Sequence, residues 1–289
     1  MHATWTSRLL LSLGIAAAII LPARASAASL RPYNALVLPM EAPMDVEVRF
    51  DDGELRYEAI PAASSAISPI GGVLATARYR KMEEDIIRPA MATLNAGLST
   101  APRRDALAEA IRSALEATGK IRVGEVRVYD SAHPAPDATV EADRPVLLVF
   151  LRYGMEPMMG GLSVLLGARY GRRGDLVAGN ATAPVAFRQT VESREPAPQG
   201  GFFDFAEDHA AYWTKLGPQA VDARIDAGLR DAIDMLAHEL QRKPRFGRIP
   251  GKQYPVDTGY AAKETEHGDR AWLRVRDGTL VSLPLSSLD

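Results

Sequence analysis

The sequence predicts an α/β protein in which helices pack on a mixed β-sheet, with a small β-hairpin module at the C-terminus. Residues 146–151 form the most apolar short run, typical of a central strand buried on both faces. Residues 218–242 carry an apolar side chain every three or four positions, which predicts a long helix. Residues 272–276 and 279–283 flank an Asp277-Gly278 turn and predict the hairpin.

The region before the central strand contains strand signals separated by a turn. Residues 35–40 are apolar, contain a proline near their end and predict a short first strand. Residues 46–50 and 55–60 alternate apolar and charged side chains around Asp51-Asp52-Gly53, which predicts another hairpin with one solvated face. Residues 59–77 contain no charged residue but several prolines and glycines. We expect a surface loop there, either packed on the protein or in contact with a partner or a membrane surface.

Two helices and a strand are predicted next. Residues 78–90 have apolar side chains at helical spacing, and Asn95-Ala96-Gly97 marks the end of this helix. The following helix begins at residue 99 or 100, has one apolar face and ends at Gly119, which suits a left-handed cap. Residues 121–129 predict a strand with a bulge at Gly124.

Beyond the central strand, the chain predicts further strands and a short helix. Residues 162–170 predict a strand, residues 171–175 a turn, and residues 176–191 a continuing strand. Residues 208–215 predict a short helix before the long one. We therefore expect an α/β domain over residues 28–243, followed by a linker and the C-terminal hairpin over residues 244–289.

The first residues predict export. Arg8 is the only charged side chain before an apolar run at residues 9–21, and the small residues Ala25-Ser26-Ala27 follow. We expect a signal peptide over residues 1–27, cleaved after Ala27, and a periplasmic or secreted protein. The alternative is a retained membrane anchor, but the run is shorter than the ~20 residues that span a bilayer.

Composition limits the chemistry and the partners. The chain has no cysteine, which excludes disulfides, thiol nucleophiles, cysteine-based metal sites and lipidation at a cysteine. The formal net charge is −2, which gives no electrostatic footprint for nucleic acid. Small exported eukaryotic domains usually depend on disulfides, so we expect this cysteine-free exported chain to be bacterial and periplasmic.

Several catalytic and metal motifs are incomplete. His238-Glu239 lies on the long helix, but a zinc-protease motif needs a second histidine where Arg242 stands. Ser163 begins a sequence similar to a nucleophile elbow, but Leu165 replaces the required second glycine. Thioether side chains that could bind copper(I) cluster at Met155, Met158 and Met159. No histidine that could complete a copper site lies near them in the sequence. We expect no catalytic residue, no metal ligand and no cofactor among these motifs.

One segment holds the densest set of functional candidates. Its acidic and imidazole side chains could form a metal site or an acid–base site. Alternatively, the acidic residues mark the start of a helix, where the helix dipole favours negative charge. These residues are Asp204, Glu207, Asp208 and His209. Its aromatic side chains suit either a plug in the core or a partner-binding patch; they are Phe202, Phe203, Phe205, Tyr212 and Trp213.

The order of elements resembles that of a group of bacterial envelope domains. A strand ending in Leu38-Pro39 comes first, and a helix over residues 105–115 later runs through Thr118-Gly119 into the strand at residues 121–123. This pattern is similar to that of the curli-secretion lipoprotein, the lipoprotein activators of penicillin-binding proteins, and the amino-terminal domain of the Tol-system propeller protein. The resemblance covers residues 35–242 and rests on pattern.

The resemblance implies an α/β sandwich that supports an envelope assembly by binding partners, and it carries over no catalytic residue. This chain departs from the lipoproteins because it lacks their lipidated cysteine, and it adds hairpins at residues 46–60 and at the C-terminus.

We therefore expect an exported, non-enzymatic accessory protein that binds an envelope protein, binds no nucleic acid and has no transmembrane segment after cleavage. Two alternatives stay open. One is a periplasmic hydrolase that uses Asp204, Glu207, Asp208 and His209, and the other is a small-molecule or metal-binding module.

Overall fold

The computed structural model describes residues 33–34, 36, 42–57, 79–98, 103–180, 184–198, 206–242, 252–256 and 259–288. Every described residue belongs to one compact unit of the chain. The predicted signal peptide, the loop at 59–77 and most of the predicted first strand lie outside the described residues. Among the described residues, no helix combines the length and apolar character needed to cross a bilayer.

The described strands form one mixed sheet, as the sequence predicts, and this sheet has ten strands. The order is β3-β2-β4-β5-β6-β10-β9-β8-β7, and β1 also pairs with β6. Strand β2 is parallel to both β3 and β4, and β10 is parallel to β6; the other pairs are antiparallel. The strands are β1 Tyr33–Asn34, β2 Met44–Tyr57, β3 Val123–Tyr129, β4 Pro145–Met155, β5 Gly161–Arg172, β6 Phe187–Pro196, β7 Gln253–Val256, β8 Gly259–His267, β9 Arg270–Val275 and β10 Leu280–Pro284.

Four of the described helices pack on one face of this sheet and bury the main core with it. A π-helical segment, Glu83–Ile87, leads directly into the first of them. A fifth, short helix lies elsewhere. The helices are α1 Arg88–Gly97, α2 Arg104–Glu116, α3 Arg173–Val177, α4 Ala206–Leu216 and α5 Pro218–Leu240. The longest, α5, confirms the predicted long helix and lies across β5 and β6.

Val146 to Val149 of β4 are buried on both faces of the sheet, as predicted from their apolar sequence, whereas Phe150 in the same predicted run is exposed. Leu147, Val149 and Leu151 point into the main core. Val146 and Leu148 point to the opposite face, where Leu176 of α3 covers them. Each such side chain contributes roughly 1.5–3 kcal/mol when it is removed from water. The two covers explain why this run has no polar alternation.

The predicted hairpin at residues 46–60 is wrong, because β2 continues as one strand. Its first part pairs with β4 up to Asp51 opposite Arg152, and its last part resumes at Arg56 opposite Gly154. The extra residues between these two pairs form an irregularity in the ladder. The Asp51-Asp52-Gly53 signal therefore marks a bulge, and both parts of β2 share β4 as their partner.

The predicted strand at residues 176–191 is also wrong over most of its length. Residues 173–177 form α3, and the following strand begins only at Phe187. Arg173 is fully buried, and its Nε donates a 2.6 Å hydrogen bond to Glu47 of β2. The same guanidinium donates to the carbonyls of Pro136, Asp137 and Val140. These tertiary contacts hold the short helix over the sheet.

The predicted C-terminal hairpin is present as β9 and β10, and it continues the main sheet. Leu280 pairs with Arg274 within the hairpin and with Val191 of β6 on its other side. The Gln189 amide donates a 2.9 Å hydrogen bond to the carbonyl of Gly278 in the hairpin turn. The hairpin therefore packs on the main sheet through strand pairing.

Candidate functional site

The predicted aromatic patch is only partly within the described residues. Phe202, Phe203 and Phe205 lie outside them, whereas Tyr212 and Trp213 lie on α4. Trp213 is fully buried, and its indole Nε1 donates a 2.8 Å hydrogen bond to the Met159 carbonyl. Tyr212 is half-buried and contacts Trp213 edge to face. Trp213 thus packs in the core, and the partner-binding role of the aromatic set stays a prediction.

The described members of the acidic cluster do not converge. Glu207 and Asp208 are exposed on α4. His209 is half-buried and turns toward the chain between β4 and β5, where its Nδ1 lies 3.1 Å from the Met158 carbonyl. A carbonyl only accepts hydrogen bonds, so Nδ1 is the protonated ring nitrogen. Asp204 lies outside the described residues.

The turn between β4 and β5 is strained and strongly held. Met158 and Met159 adopt left-handed backbone conformations with φ of 57° and 54°. Such residues each cost of order 1–3 kcal/mol and persist only where their surroundings enforce them. Here Tyr57, His209 and Trp213 each bond to the backbone of this turn. Met159 is fully buried, so the turn does not present paired thioethers to a copper ion.

Tyr57 links this turn to the helical segment at residue 79. Its hydroxyl oxygen accepts a 3.0 Å hydrogen bond from the Met158 backbone N–H and contacts the hydroxyl of Tyr79. Burial, and then the hydrogen bond with Tyr79, raises the pKa of Tyr57 above its usual value. Tyr57 is therefore a neutral hydrogen-bonding side chain at physiological pH.

His238, Glu239 and Glu264 form a cluster of the residue types that bind metals, with ligand atoms within 4.8 Å of one another. Two arginines already occupy its carboxylates. Arg274 donates to both glutamates, and Arg242 contacts Glu264 at 2.5 Å. A metal ion would have to displace these guanidinium groups, so we interpret the cluster as an ion-pair network that joins α5 to β8 and β9.

The ionisation of Glu264 agrees with this interpretation. Burial raises its pKa, but the hydrogen bonds from His238 and Arg274 outweigh that effect and lower the pKa to about 2. The carboxylate therefore stays charged and bound at all physiological pH values. The sequence motif contains His238 and Glu239 but not Glu264 and Arg274, because these two residues lie on β8 and β9 and reach α5 only in the folded chain.

A second buried network fixes the same helix to the sheet. The Asp231 carboxylate on α5 accepts a 2.6 Å hydrogen bond from the Ser193 hydroxyl and a 3.0 Å bond from the Trp272 indole. Arg270 forms an ion pair with it at 3.1 Å. Asp231, Ser193 and Arg270 therefore bind one another inside the protein and join α5 to the sheet.

Ser163 does not occupy a nucleophile elbow. It lies inside β5, paired with Gly154 on one side and Arg194 on the other. An elbow serine requires a sharp turn between a strand and a helix. The serine-hydrolase motif is therefore incomplete in structure as well as in sequence.

An open cleft of about 640 Å³ lies between the end of β2 and the helical segment that leads into α1. Its floor is mostly apolar, with Leu55, Ile87 and Met91, and its rim carries Glu83 and Arg88. Asn95 holds the two elements together, because its side chain donates to and accepts from the backbone of Leu55.

The face of the central sheet opposite the main core presents the second candidate surface. Of the helices α1 to α5, only α3 packs on this face, and it covers the end near Val146 and Leu148. Farther along β4, Phe150 is 42% exposed. Its cross-strand neighbour on β5 is Gly167, and a Cβ placed on that glycine would meet no atom of the described residues within 4 Å. We call this surface, centred on Phe150 and Gly167, the open face.

Strand pairing arranges the open face in three rows from β2 to β6. The middle row is Arg49, Phe150, Gly167 and Thr190; the row toward α3 is Glu47, Leu148, Arg169 and Arg188; the far row is Asp51, Arg152, Leu165 and Glu192. The sequence does not indicate this surface, because Phe150 lies within the most apolar run and is indistinguishable there from a core residue.

Two arginines lie directly opposite each other on this face. Arg169 of β5 pairs with Arg188 of β6, an arrangement of like charges that is unfavourable in a sheet. Burial, and then the charge of Arg188, lowers the pKa of Arg169. Among the described residues, no acidic side chain contacts Arg169. In contrast, Glu47 is fully buried beside Arg173, and Glu192 is paired with Arg194.

Comparisons of the chain with protein-family models, with curated proteins and with solved structures find no match.

Proposed function

We propose that this protein is an exported, non-enzymatic accessory protein of a bacterial envelope and that it binds another envelope protein through the open face. The exposed side chain of Phe150, beside open space at Gly167, is the observation that carries this proposal. An exposed aromatic side chain with arginines around it has the composition of a binding hot spot.

The polar chemistry of the described residues supports binding over catalysis. Asp231, Glu239 and Glu264 are saturated by arginine, tryptophan, serine or histidine donors within the fold. An active site needs reactive groups that converge on a space for substrate. Glu207 and Asp208 do not meet His209, so the observation that motivated a hydrolase is weakened.

Export to the periplasm is the second part of the proposal, and it rests on the sequence at residues 1–27. The absence of cysteine fits a bacterial periplasmic protein that needs no disulfide.

In-cell photocrosslinking tests this function. A photoreactive phenylalanine analogue would replace Phe150 in the native host, and the matched control would carry it at Arg230, which is exposed on α5. We expect one reproducible envelope protein to crosslink at position 150 and not at position 230. Equal labelling at both positions, or no protein adduct at position 150, would reject the proposal.

The cleft at Leu55 and Met91 favours a second candidate function, a small-molecule-binding module. A volume of about 640 Å³ falls within the range of ligand pockets, and the apolar floor with a charged rim suits an amphipathic molecule. A thermal-shift screen against amphipathic metabolites tests it, with Met91→Glu as the blocked variant. A ligand that raises Tm of the wild type but not of Met91→Glu supports this function; equal shifts in both contradict it.

A further inference from the structure

The edge strand β3 is a surface that neither the open face nor the cleft includes. It has seven residues and stands first in the sheet order, with β2 as its neighbour on one side. Among the described strands, none pairs with its other side. An edge strand presents a row of backbone N–H and C=O groups that can pair with a strand of another chain.

One hydrogen bond shows which backbone groups of β3 point outward. The Glu125 N–H donates a 2.8 Å hydrogen bond to the carboxylate of Asp45 on β2, so it points into the sheet. From Val126 to Tyr129, β3 pairs with β2 in an unbroken register. Backbone groups of consecutive residues in a strand point to opposite sides. The N–H and C=O of Val126 therefore point away from β2, toward the outer edge.

The side chains before and after Val126 carry opposite charges. Arg127 donates a 2.6 Å hydrogen bond to Glu125, so the two side chains lie on the same face of β3. The same guanidinium donates to Glu141 at 2.8 Å. The hydrogen bond from Arg127 lowers the pKa of Glu125, which keeps this exposed carboxylate charged at neutral pH. A guanidinium has five N–H donors, so Arg127 can keep both contacts and donate to a further carboxylate.

We propose that two copies of this protein pair their β3 strands about a two-fold axis at Val126, so that Glu125 of each copy faces Arg127 of the other. This inference goes beyond the proposed function and does not involve the open face. Identical edges related by a two-fold axis pair antiparallel, and every contact occurs twice. Val126 then lies opposite Val126 of the other copy and exchanges two backbone hydrogen bonds with it.

The charges of β3 select this register. A slip of one residue would turn the side chains of one strand to the wrong face, so the nearest competing registers are shifted by two residues. One of them places Glu125 opposite Glu125 of the other copy, and the other places Arg127 opposite Arg127. Like charges directly opposite each other destabilise a sheet, whereas opposite charges stabilise it. Only the register centred on Val126 forms the Glu125–Arg127 pair, and symmetry forms it twice.

Charge reversal tests the pairing by sedimentation velocity of the purified protein over a range of concentrations. We expect the wild type to dimerise, and Glu125→Arg and Arg127→Glu each to raise the dissociation constant of the dimer about tenfold, because symmetry places each change in the interface twice. An equimolar mixture of these two variants restores opposite charges at both pairs and should form a heterodimer. The control is Glu266→Arg on β8, which reverses an exposed charge far from β3 in the sheet order and should leave the dissociation constant unchanged.

Disulfide formation tests the register and does not depend on charge reversal. The chain has no cysteine, so each introduced cysteine reports a single position. In the proposed register, Glu125 and Arg127 form a non-hydrogen-bonded pair with Cα atoms about 4.5 Å apart, which suits a disulfide. We expect Glu125→Cys and Arg127→Cys to crosslink when the two variants are mixed under mild oxidation, and each variant alone to crosslink far less.

Each other outcome overturns the inference. A wild type that stays monomeric at every concentration would show that the charges of β3 only protect the edge from pairing. Equal effects of Glu125→Arg and Glu266→Arg, or a mixture of the reversed-charge variants that stays monomeric while both keep the Tm of the wild type, would exclude pairing through β3. Single-cysteine variants that crosslink alone as well as they do when mixed would exclude this register. Photocrosslinking at Phe150 tests the proposed function separately.

Discussion

Replacement of Glu264 by glutamine should remove a stabilising contribution that depends on pH. In the folded protein, burial raises and hydrogen bonds lower the pKa of Glu264, with the net result of about 2, against an ordinary value of 4.5. That difference corresponds to about 3 kcal/mol of folding free energy. We expect Glu264→Gln to unfold more easily than the wild type by about this amount at pH 7.

The sign of the pH dependence follows from the lowered pKa. A carboxyl group that binds protons less readily in the fold contributes its full stability above pH 4.5 and loses it as the pH falls toward 2. The free-energy difference between wild type and Glu264→Gln should therefore be constant from pH 7 to about 5 and shrink toward zero near pH 2.

Urea unfolding at pH 7, 5, 4, 3 and 2 measures this difference. The matched control is Glu266→Gln, which alters a neighbouring glutamate that is exposed and forms a solvent-exposed ion pair with Lys263. We expect the control to change stability by less than 1 kcal/mol, as surface ion pairs do. A Glu264→Gln effect that is the same at pH 7 and pH 2, or no larger than the control, would refute the reasoning.

Three further substitutions test the packing, each by urea unfolding. Gly228→Ala should destabilise the protein by about 1–3 kcal/mol although alanine favours helices. The reason is that the added Cβ would lie 2.7 Å from the Val164 side chain of β5. A gain in stability would contradict the close contact of α5 with the sheet. Trp213→Phe should lower the free energy of unfolding by about 1–3 kcal/mol, because the Met159 carbonyl loses its hydrogen bond from the indole. It should also speed amide exchange in the strained turn. Unchanged exchange would show that Trp213 does not hold the turn in its strained conformation. Arg173→Met should lower the free energy of unfolding by about 3–5 kcal/mol, because it leaves Glu47 buried with a weakened counter-charge. Adding Glu47→Gln to this variant should recover part of that stability. No recovery would argue against the ion pair.

The candidate site was the part of the molecule least accessible to sequence reasoning. The segment at residues 202–213 was a candidate site because it contains many aromatic and acidic side chains. In the structure, however, Trp213 packs in the core and His209 is hydrogen-bonded to a backbone carbonyl. Phe150 gave no sequence signal, since its neighbours are all apolar. The sequence offered one hint, which was Gly167 inside a predicted strand. Glycine weakens a strand, so its presence there often marks a place where another molecule approaches the backbone.

Elements with local signals were predictable from the amino-acid sequence. The apolar run of β4, the apolar stripe of α5 and the Asp277-Gly278 turn each encode their structure within a few residues, and all three are present. The folded chain establishes which strands pair, that β2 continues through its bulge, and that α3 replaces a predicted strand. Strand partners are chosen by contacts between distant segments, and those partners fix which side of β4 is covered by helices and which side leaves Phe150 exposed beside Gly167.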